Sequence, residues 1–177
     1  LEFRRVLFRS GPHFGGSPAD LRTARDATLL PVLRKDFTVS ELDVVDARLM
    51  GADCVLLIAA ALSVDEMARF IDVARRVGLD TLMEIHDEAE LEVAISIGAT
   101  LVGVNQRDLV TFEVDHERAV RMAAAIPRSV IRIAESGVRN PDDAASLRAA
   151  GYDAVLVGET LVRSADPAGA IRSLRVS

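Results

Sequence analysis

The stretch Gly51–Ile58, GADCVLLI, decides the fold of this chain. Its glycine closes an amphipathic segment, and an uninterrupted apolar run follows. Glycine just past a helix end takes the left-handed conformation that lets the chain reverse direction. A strand that is apolar on both faces is typical of a parallel sheet covered by helices. The stretch therefore predicts a helix, a turn and a buried parallel strand in succession.

The same phrase returns as Gly98-Ala99-Thr100 and Gly151-Tyr152-Asp153, each before another apolar run. Ser63–Glu66 is a capping box, and Gly78 ends the helix that it opens. This alternation predicts an α/β fold with a parallel sheet, to which Val6–Phe8 can add a short strand. From Val32 onward it predicts six strands, at Val32–Leu33, Cys54–Ile58, Thr81–Ile85, Leu101–Val104, Ile131–Ala134 and Ala154–Val157.

The repeat length is that of a (β/α)8 TIM barrel, but the chain is short for one. It has 177 residues, whereas such barrels typically need about 250. We therefore expect a partial barrel that lacks its first two βα units. Residues 1–10, LEFRRVLFRS, are predicted to be an unmatched stretch at a truncation junction, and residues 11–177 to form the partial barrel.

Composition excludes several classes of protein. The chain is 50% hydrophobic, which fits one globular domain, and its longest apolar run, Cys54–Leu62, is too short to cross a bilayer. A net charge of −6 without a basic patch argues against nucleic-acid binding. One cysteine and three widely separated histidines predict neither a disulfide nor a metal site. We expect a cytoplasmic protein that does not bind membranes.

Lys35 is the only lysine among the 21 basic Lys and Arg residues of the sequence. It follows the apolar residues Val32-Leu33 and precedes a helix start, which places it at the carboxyl end of a strand, where barrels keep their catalytic residues. The pKa of a lysine, unlike that of an arginine, can be tuned into a useful range by its surroundings. The alternative is a surface lysine in a loop.

Polar residues stand at the carboxyl ends of other predicted strands, which meet at one rim of a parallel barrel. Glu84 and Glu135 interrupt apolar strands, and Asn105 follows another. A carboxyl group in such a strand either points into the rim or bears a heavy desolvation penalty. Burial would raise its pKa and a nearby Lys35 would lower it. The alternative is a solvent-facing position for either glutamate.

Two glycines, Gly137 and Gly158, follow the last two predicted strands. We predict that they bind phosphate through backbone N–H groups. Glu159 would then direct its side chain outward and its N–H group inward. Arg107 is a candidate clamp for a substrate carboxylate. Its alternative is a surface ion pair with Asp108 or Glu113.

Six runs together resemble indole-3-glycerol phosphate synthase, in register and in order from about Phe14 to the end. They are PVLRKDF (31–37), GADCVLLI (51–58), MEIHDE (83–88), GVNQRDL (103–109), AESGV (134–138) and VLVGETLVR (155–163). The resemblance implies a (β/α)8 barrel of the ribulose-phosphate-binding type, of which this chain would hold strands 3 to 8. It also implies a carboxy-lyase of tryptophan biosynthesis that needs no cofactor.

In that family, 1-(2-carboxyphenylamino)-1-deoxyribulose 5-phosphate undergoes ring closure with loss of CO2 and water. The resemblance implies that Lys35 is the general acid for ring closure and Glu84 the acid or base for dehydration. It implies a small phosphorylated substrate, and an intact enzyme that is a monomer or is fused to a neighbouring pathway enzyme. The other implied site residues are Asn105, Glu135 and Ser136 beside the reacting atoms, Phe14, Phe37, Leu56, Leu156 and Arg107 around the substrate, and Gly137, Gly158 and Glu159 at the phosphate.

One departure from the family matters. Its first strands carry an acid-x-Lys-x-x-Ser-Pro motif, which supplies a further glutamate, a second lysine and a phosphate-binding serine, and this sequence lacks it. We therefore expect the 177-residue chain alone to be poorly stable and nearly inactive. The alternatives are another phosphate-binding barrel enzyme, such as phosphoribosylanthranilate isomerase, and a non-catalytic barrel fragment that self-associates.

Overall fold

The computed structural model describes residues 6–8, 16–107 and 113–175, in which seven strands form one sheet. Every neighbouring pair is parallel, and the strands follow one another in sequence order. None of the helices in these ranges is long and apolar enough to cross a membrane. The elements are β1 (Val6–Phe8), α1 (Pro18–Ala27), β2 (Val32–Arg34), α2 (Glu41–Leu49), β3 (Cys54–Ile58), a 3-10 turn (Ala59–Ala61), α3 (Val64–Val77), β4 (Asp80–Ile85), α4 (Glu88–Ser96), β5 (Leu101–Asn105), α5 (His116–Ala125), β6 (Ile131–Glu135), α6 (Pro141–Ala150), β7 (Ala154–Leu156), α7 (Glu159–Arg163) and α8 (Pro167–Ser173).

The predicted α/β fold with a parallel sheet is confirmed. The six strands from Val32 onward are present, and the short Val6–Phe8 strand pairs with β2. β5 and β6 each run one residue further than predicted, to Asn105 and Glu135. The short helix α7 was not predicted as an element of its own. Phe14, a predicted substrate contact, lies outside the described residues.

Local sequence signals place the ends of the helices. Ser63 accepts a hydrogen bond from the N–H group of Glu66, whose carboxylate binds back to Ser63, so the predicted capping box is confirmed. Ser17 and Ser40 open α1 and α2 in the same way. Gly78 ends α3 at φ 73°, a left-handed conformation that other residues rarely adopt. Serine at the start and glycine at the end thus bound α3.

The aspartates of the recurring phrase join neighbouring strands. Asp53, just before β3, accepts a hydrogen bond at 2.8 Å from the backbone N–H of Val32, the first residue of β2. Asp153, just before β7, accepts one at 2.9 Å from the N–H of Arg132 in β6. Oδ2 of Asp53 also accepts a hydrogen bond from Nη1 of Arg25, in α1, at 2.7 Å. The phrase therefore satisfies a backbone donor at the amino end of the adjacent strand as well as reversing the chain.

The sheet separates two apolar layers. The helices pack on its outer face, and the side chains between them and the sheet form the larger cluster, which includes Val55, Met83 and Val102. Side chains on the inner face form a second cluster of Leu33, Cys54, Leu56, Leu82, Leu101 and Ile133. Because side chains alternate between the faces of a strand, positions two or four residues further on share this inner face.

Four polar residues continue the inner face beyond this apolar cluster: Lys35, Glu84, Asn105 and Glu135. Each lies at or just beyond the carboxyl end of its strand. The apolar inner cluster thus forms a floor, and the four polar residues continue the same inner face towards one rim. The fold itself positions the candidate site.

Replacing Asp53 should test its role in joining α1, β2 and β3. In Asp53→Ala the N–H of Val32, a fully buried residue, loses its acceptor. We expect a loss of about 1–3 kcal/mol in the free energy of unfolding, measured with urea. Glu92→Ala, at an exposed position of α4, is the control and should change it by less than about 0.5 kcal/mol. Equal losses in the two variants would contradict this role.

Candidate active site

Lys35 lies between two glutamates at the rim. Its Nζ is 2.7 Å from Oε2 of Glu84 and 2.8 Å from Oε2 of Glu135. The exposed fractions of the three side chains are 11%, 4% and 1%. The alternatives of a surface lysine and of solvent-facing glutamates are therefore wrong. Strands β2, β4 and β6 bring together three residues that are distant in sequence.

The three groups shift one another's protonation. Burial lowers the pKa of Lys35, but the carboxylates of Glu135 and Glu84 raise it by more, so its pKa lies above the ordinary value. Burial also opposes the ionised form of Glu84, yet Lys35 and Asn105 bring the pKa of Glu84 below its ordinary value. Burial raises the pKa of Glu135 to about 7, against the attraction of Lys35. Near neutral pH, Lys35 is protonated, Glu84 is ionised and Glu135 can hold a proton.

Glu135 has unusual surroundings. Its Oε2 contacts Lys35 as an ion pair outside hydrogen-bond geometry, and its Oε1 has no hydrogen-bond partner among the described residues. The carboxylate packs against the Cα of Gly103, where a Cβ would overlap Oε1. Sequence analysis did not single out Gly103, although an isolated glycine inside an apolar strand signals close approach of another group. Gly103 makes room for Glu135.

Asn105 orients Glu84. Its Nδ2 donates a hydrogen bond to Oε1 of Glu84 at 2.9 Å, and its Oδ1 accepts one from the backbone N–H of Arg107 at 3.0 Å. Both ends of the amide are engaged, so its direction is fixed. Asn105 therefore lies at the rim, in contact with one of the two buried acids.

His86 is a further partner of Glu84 that sequence analysis missed. Its Nε2 is 3.8 Å from Oε1 of Glu84, and its backbone N–H donates to Oε2 of Glu90 at 2.6 Å. The hydrogen bond between its Nδ1 and Glu90 raises the pKa of His86 above the ordinary value. Its position directly after β4 was the available signal. In the described ranges, no three His, Cys, Asp or Glu side chains group to hold a metal ion.

The turn after β6 has an uncommon backbone. Ser136 has φ 66° and Gly137 has φ 70°, both left-handed, and a Cβ on Gly137 would overlap Val114. Gln106, which is fully buried, donates a hydrogen bond from its Nε2 to the carbonyl oxygen of Ser136 at 2.9 Å. Sequence analysis missed Gln106, a polar residue directly after β5.

The turn after β7 lies beside this one. Gly158 precedes α7, and the Thr160 hydroxyl donates to the carbonyl oxygen of Val138 at 2.6 Å. Two predicted phosphate-binding turns are thus joined by a direct hydrogen bond. Their glycines belong to neighbouring loops at the carboxyl end of the sheet.

Arg107 pairs across the rim with Glu159, at 3.1 Å between Nη2 and Oε2. Glu159 also pairs with Arg163 at 3.1 Å. Glu159 is a partner of Arg107 that the sequence did not predict. Of the two predicted ion-pair partners, Asp108 lies outside the described residues. Two guanidinium groups offset the negative charge of Glu159 beside the turn after β7.

The predicted apolar contacts divide into two groups. Leu56 is buried in the inner cluster, and Leu156 packs against that cluster. Phe37, two residues past Lys35, is 54% exposed. The two leucines belong to the inner apolar layer, whereas Phe37 presents its ring to solvent.

A family model described as indole-3-glycerol phosphate synthase matches residues 7–174. The chain belongs to the indole-3-glycerol phosphate synthase family. An indole-3-glycerol phosphate synthase of Nocardioides sp. is 51% identical over 161 residues, which are 91% of this chain and 62% of the relative. An indole-3-glycerol phosphate synthase 2 of Streptomyces coelicolor is 47% identical, with the same coverage of 91% and 62%. The chain thus spans about three-fifths of these synthases.

Solved structures of lower sequence identity support the fold. A 3-hexulose-6-phosphate synthase from Salmonella typhimurium superposes with a TM-score of 0.79 at 18% identity, covering 95% of this chain and 83% of that protein. At this identity the likeness concerns the fold alone. It is consistent with a TIM-barrel-type arrangement of the sheet and its helices.

The opposite pKa shifts of the two glutamates predict opposite effects on stability. Glu135 has a folded pKa of about 7, above the ordinary 4.5, so its contribution to stability is present below about pH 4.5 and is lost as pH rises through 7. Glu135→Gln should therefore be more stable than the unsubstituted chain at about pH 8, by on the order of 1–3 kcal/mol, with a smaller difference at about pH 5.

Glu84→Gln is the matched control. The folded pKa of Glu84 is below the ordinary value, so its contribution is present above that value and is lost as pH falls through the folded pKa. This variant should be less stable than the unsubstituted chain at about pH 8, by about 1–3 kcal/mol. Urea unfolding at both pH values measures the effects. A shift of both variants in the same direction would contradict the assigned charges.

Proposed function

We propose that this chain supplies the greater part of the active site of an indole-3-glycerol phosphate synthase. The observation that carries the proposal is the buried contact of Lys35 with Glu84 and Glu135, at one rim of a parallel sheet, in a member of that family. The substrate would be 1-(2-carboxyphenylamino)-1-deoxyribulose 5-phosphate, closed to the indole ring with loss of CO2 and water. Phosphoribosylanthranilate isomerase is not favoured by the family match.

The proposed architecture is a partial (β/α)8 barrel of the ribulose-phosphate-binding type. Strands β2 to β7 would be strands 3 to 8 of the barrel, with residues 11–177 as the barrel domain and the first two βα units absent. The sequential order of the parallel strands supports this assignment. β1 pairs where a second barrel strand would lie, although its three residues fall within the predicted unmatched stretch, residues 1–10.

Lys35 would act in ring closure. The aromatic carbon that bears the carboxylate attacks the ribulose carbonyl carbon, and the carbonyl oxygen takes a proton from Nζ as the carbon–carbon bond forms. Loss of CO2 then returns the bonding electrons to the ring. The raised pKa of Lys35 keeps its amine protonated before the reaction, which suits a general acid.

The glutamates would serve the dehydration that follows. The hydroxyl group on the former carbonyl carbon leaves as water after it receives a proton. The adjacent methylene carbon, next to the ring nitrogen, gives up a proton to a carboxylate, and the double bond forms between these two carbons. Glu84 faces Lys35 and Asn105 with one oxygen each, so its carboxylate is held in one direction for proton transfer. Glu135 can hold a proton near neutral pH because burial raises its pKa to about 7. We infer that it orients the intermediate beside Ser136.

The remaining predicted residues would hold the substrate in place. The N–H groups of the turns at Gly137 and Gly158 would bind the phosphate, with Glu159 kept outward by Arg107 and Arg163. Phe37, Leu56 and Leu156, with Phe14, would contact the anthranilate ring. Arg107 would leave its ion pair with Glu159 and bind the carboxylate of the substrate instead. Groups that donate and accept protons suffice to catalyse such a reaction, so the proposal includes no cofactor. The cytoplasmic location and the monomeric or fused state of the intact enzyme stay predictions.

Activity should depend on elements of the family that this chain lacks. We expect the 177-residue chain alone to form little product. A chimera that adds the segment preceding the matched region of the Nocardioides relative should restore formation of indole glycerol phosphate, followed by chromatography. Robust turnover by the chain alone would contradict the first expectation. A folded chimera that binds the substrate without turnover would contradict the proposed function.

Replacing Lys35 in that chimera tests the proposed acid. Lys35→Met should lower kcat by on the order of 100-fold or more, because it removes the ammonium group that contacts both buried glutamates and would protonate the carbonyl oxygen. Arg22→Met, at an exposed position of α1, is the matched control and should leave kcat unchanged. A kcat retained in Lys35→Met would rule out Lys35 as the general acid.

A further inference from the structure

The turn that follows β6 requires support from outside itself. Ser136 adopts φ 66°, and the left-handed region is unfavourable for a residue with a Cβ atom. Such a conformation persists only where the surrounding structure determines it. Within the described residues, the N–H groups of Gly137 and Val138 donate no hydrogen bond.

Gln106 provides the support. Its backbone N–H donates to the carbonyl oxygen of Glu135 at 3.0 Å, and its backbone oxygen accepts from Asp115 at 2.9 Å, so its own position is fixed. Its Nε2 then reaches the carbonyl oxygen of Ser136 at 2.9 Å. If the amide were flipped, Oε1 of Gln106 would lie against the carbonyl oxygen of Ser136, and neither atom can donate a hydrogen bond. Nε2 must therefore face Ser136.

The burial of Gln106 is otherwise unexplained. The residue is fully buried, and its Oε1 has no hydrogen-bond partner among the described residues. An unpaired buried oxygen destabilises the folded chain, so an apolar side chain of the same size would be more stable at this position if packing alone mattered. The contact with Ser136 is the feature that an apolar residue could not provide.

We propose that Gln106 is a positioning residue for the phosphate of the substrate. Its amide fixes the peptide after Ser136 and thereby directs the N–H groups of Gly137 and Val138 towards the anion. This inference rests on the proposed function, because it takes the turn to be a phosphate site. It adds a residue on β5 that acts through the backbone of the β6 turn and does not touch the substrate.

Gln106→Met tests the inference in the chimera, since methionine keeps the length of the side chain and removes its donor. We expect KM for the substrate and the dissociation constant of inorganic phosphate to rise about tenfold, which corresponds to one hydrogen bond of about 1.4 kcal/mol. We expect kcat to change less than about threefold, because Lys35, Glu84 and Glu135 keep their contacts. Phosphate binding is measured by 31P line broadening, which does not depend on turnover.

Ser136→Gly supplies a second background. Glycine adopts the left-handed conformation without the penalty of a Cβ atom, so the turn needs less support. Adding Gln106→Met to Ser136→Gly should therefore weaken phosphate binding by less than about threefold. This comparison separates loss of the turn from general loss of packing, which would affect both backgrounds alike.

The outcomes are distinct. A tenfold loss of phosphate affinity that shrinks in the Ser136→Gly background supports the inference. Unchanged phosphate binding in Gln106→Met, or a lower kcat with unchanged binding, overturns it and leaves the proposed function standing. Failure of the unsubstituted chimera to bind phosphate overturns both. If Gln106→Met does not fold, equal phosphate affinity in the unsubstituted chimera and in Gln106→Asn, whose amide is too short to reach Ser136, overturns the inference.

Discussion

The buried contact between one ammonium group and two carboxylates is the constraint on which the site depends. Lys35 can neutralise one of the two negative charges, and the desolvated second carboxylate must then hold a proton or remain at high energy. The pKa of Glu135, near 7, expresses this imbalance. Asn105 and His86 both favour ionisation of Glu84, so the shared proton falls to Glu135, which faces the backbone of Gly103 and has no other donor among the described residues.

The sequence specifies most of the fold because its signals are local. Capping residues such as Ser63 and left-handed glycines such as Gly78 act within one turn of chain, and apolar runs identify buried strands without knowledge of their neighbours. The convergence of Lys35, Glu84 and Glu135 also follows, since parallel strands bring their carboxyl ends to one rim and alternation selects the inner face. The chemistry of the rim is therefore readable before any contact is known.

Partner choice is not readable in the same way. Whether Arg107 meets Glu159 or a residue nearer in sequence depends on the loops after β5 and β7, which come together only in the folded sheet. The roles of Gly103 and Gln106 depend on the register between β5 and β6, where Asn105 stands opposite Glu135. An isolated glycine in an apolar strand signals a close approach but does not identify the group that approaches, and a glutamine after a strand does not identify its partner. These residues support the predicted site from an adjacent strand.

The use of lysine at position 35, in a chain that otherwise relies on arginine, follows from the same constraint. An arginine could neutralise Glu84 and would form stronger paired hydrogen bonds, but its guanidinium group does not give up a proton in proteins. An ammonium group flanked by carboxylates can donate its proton and recover one from the adjacent acid. A buried Glu135 that destabilises the folded chain at high pH is then consistent with selection for proton transfer over stability, a compromise common at active sites.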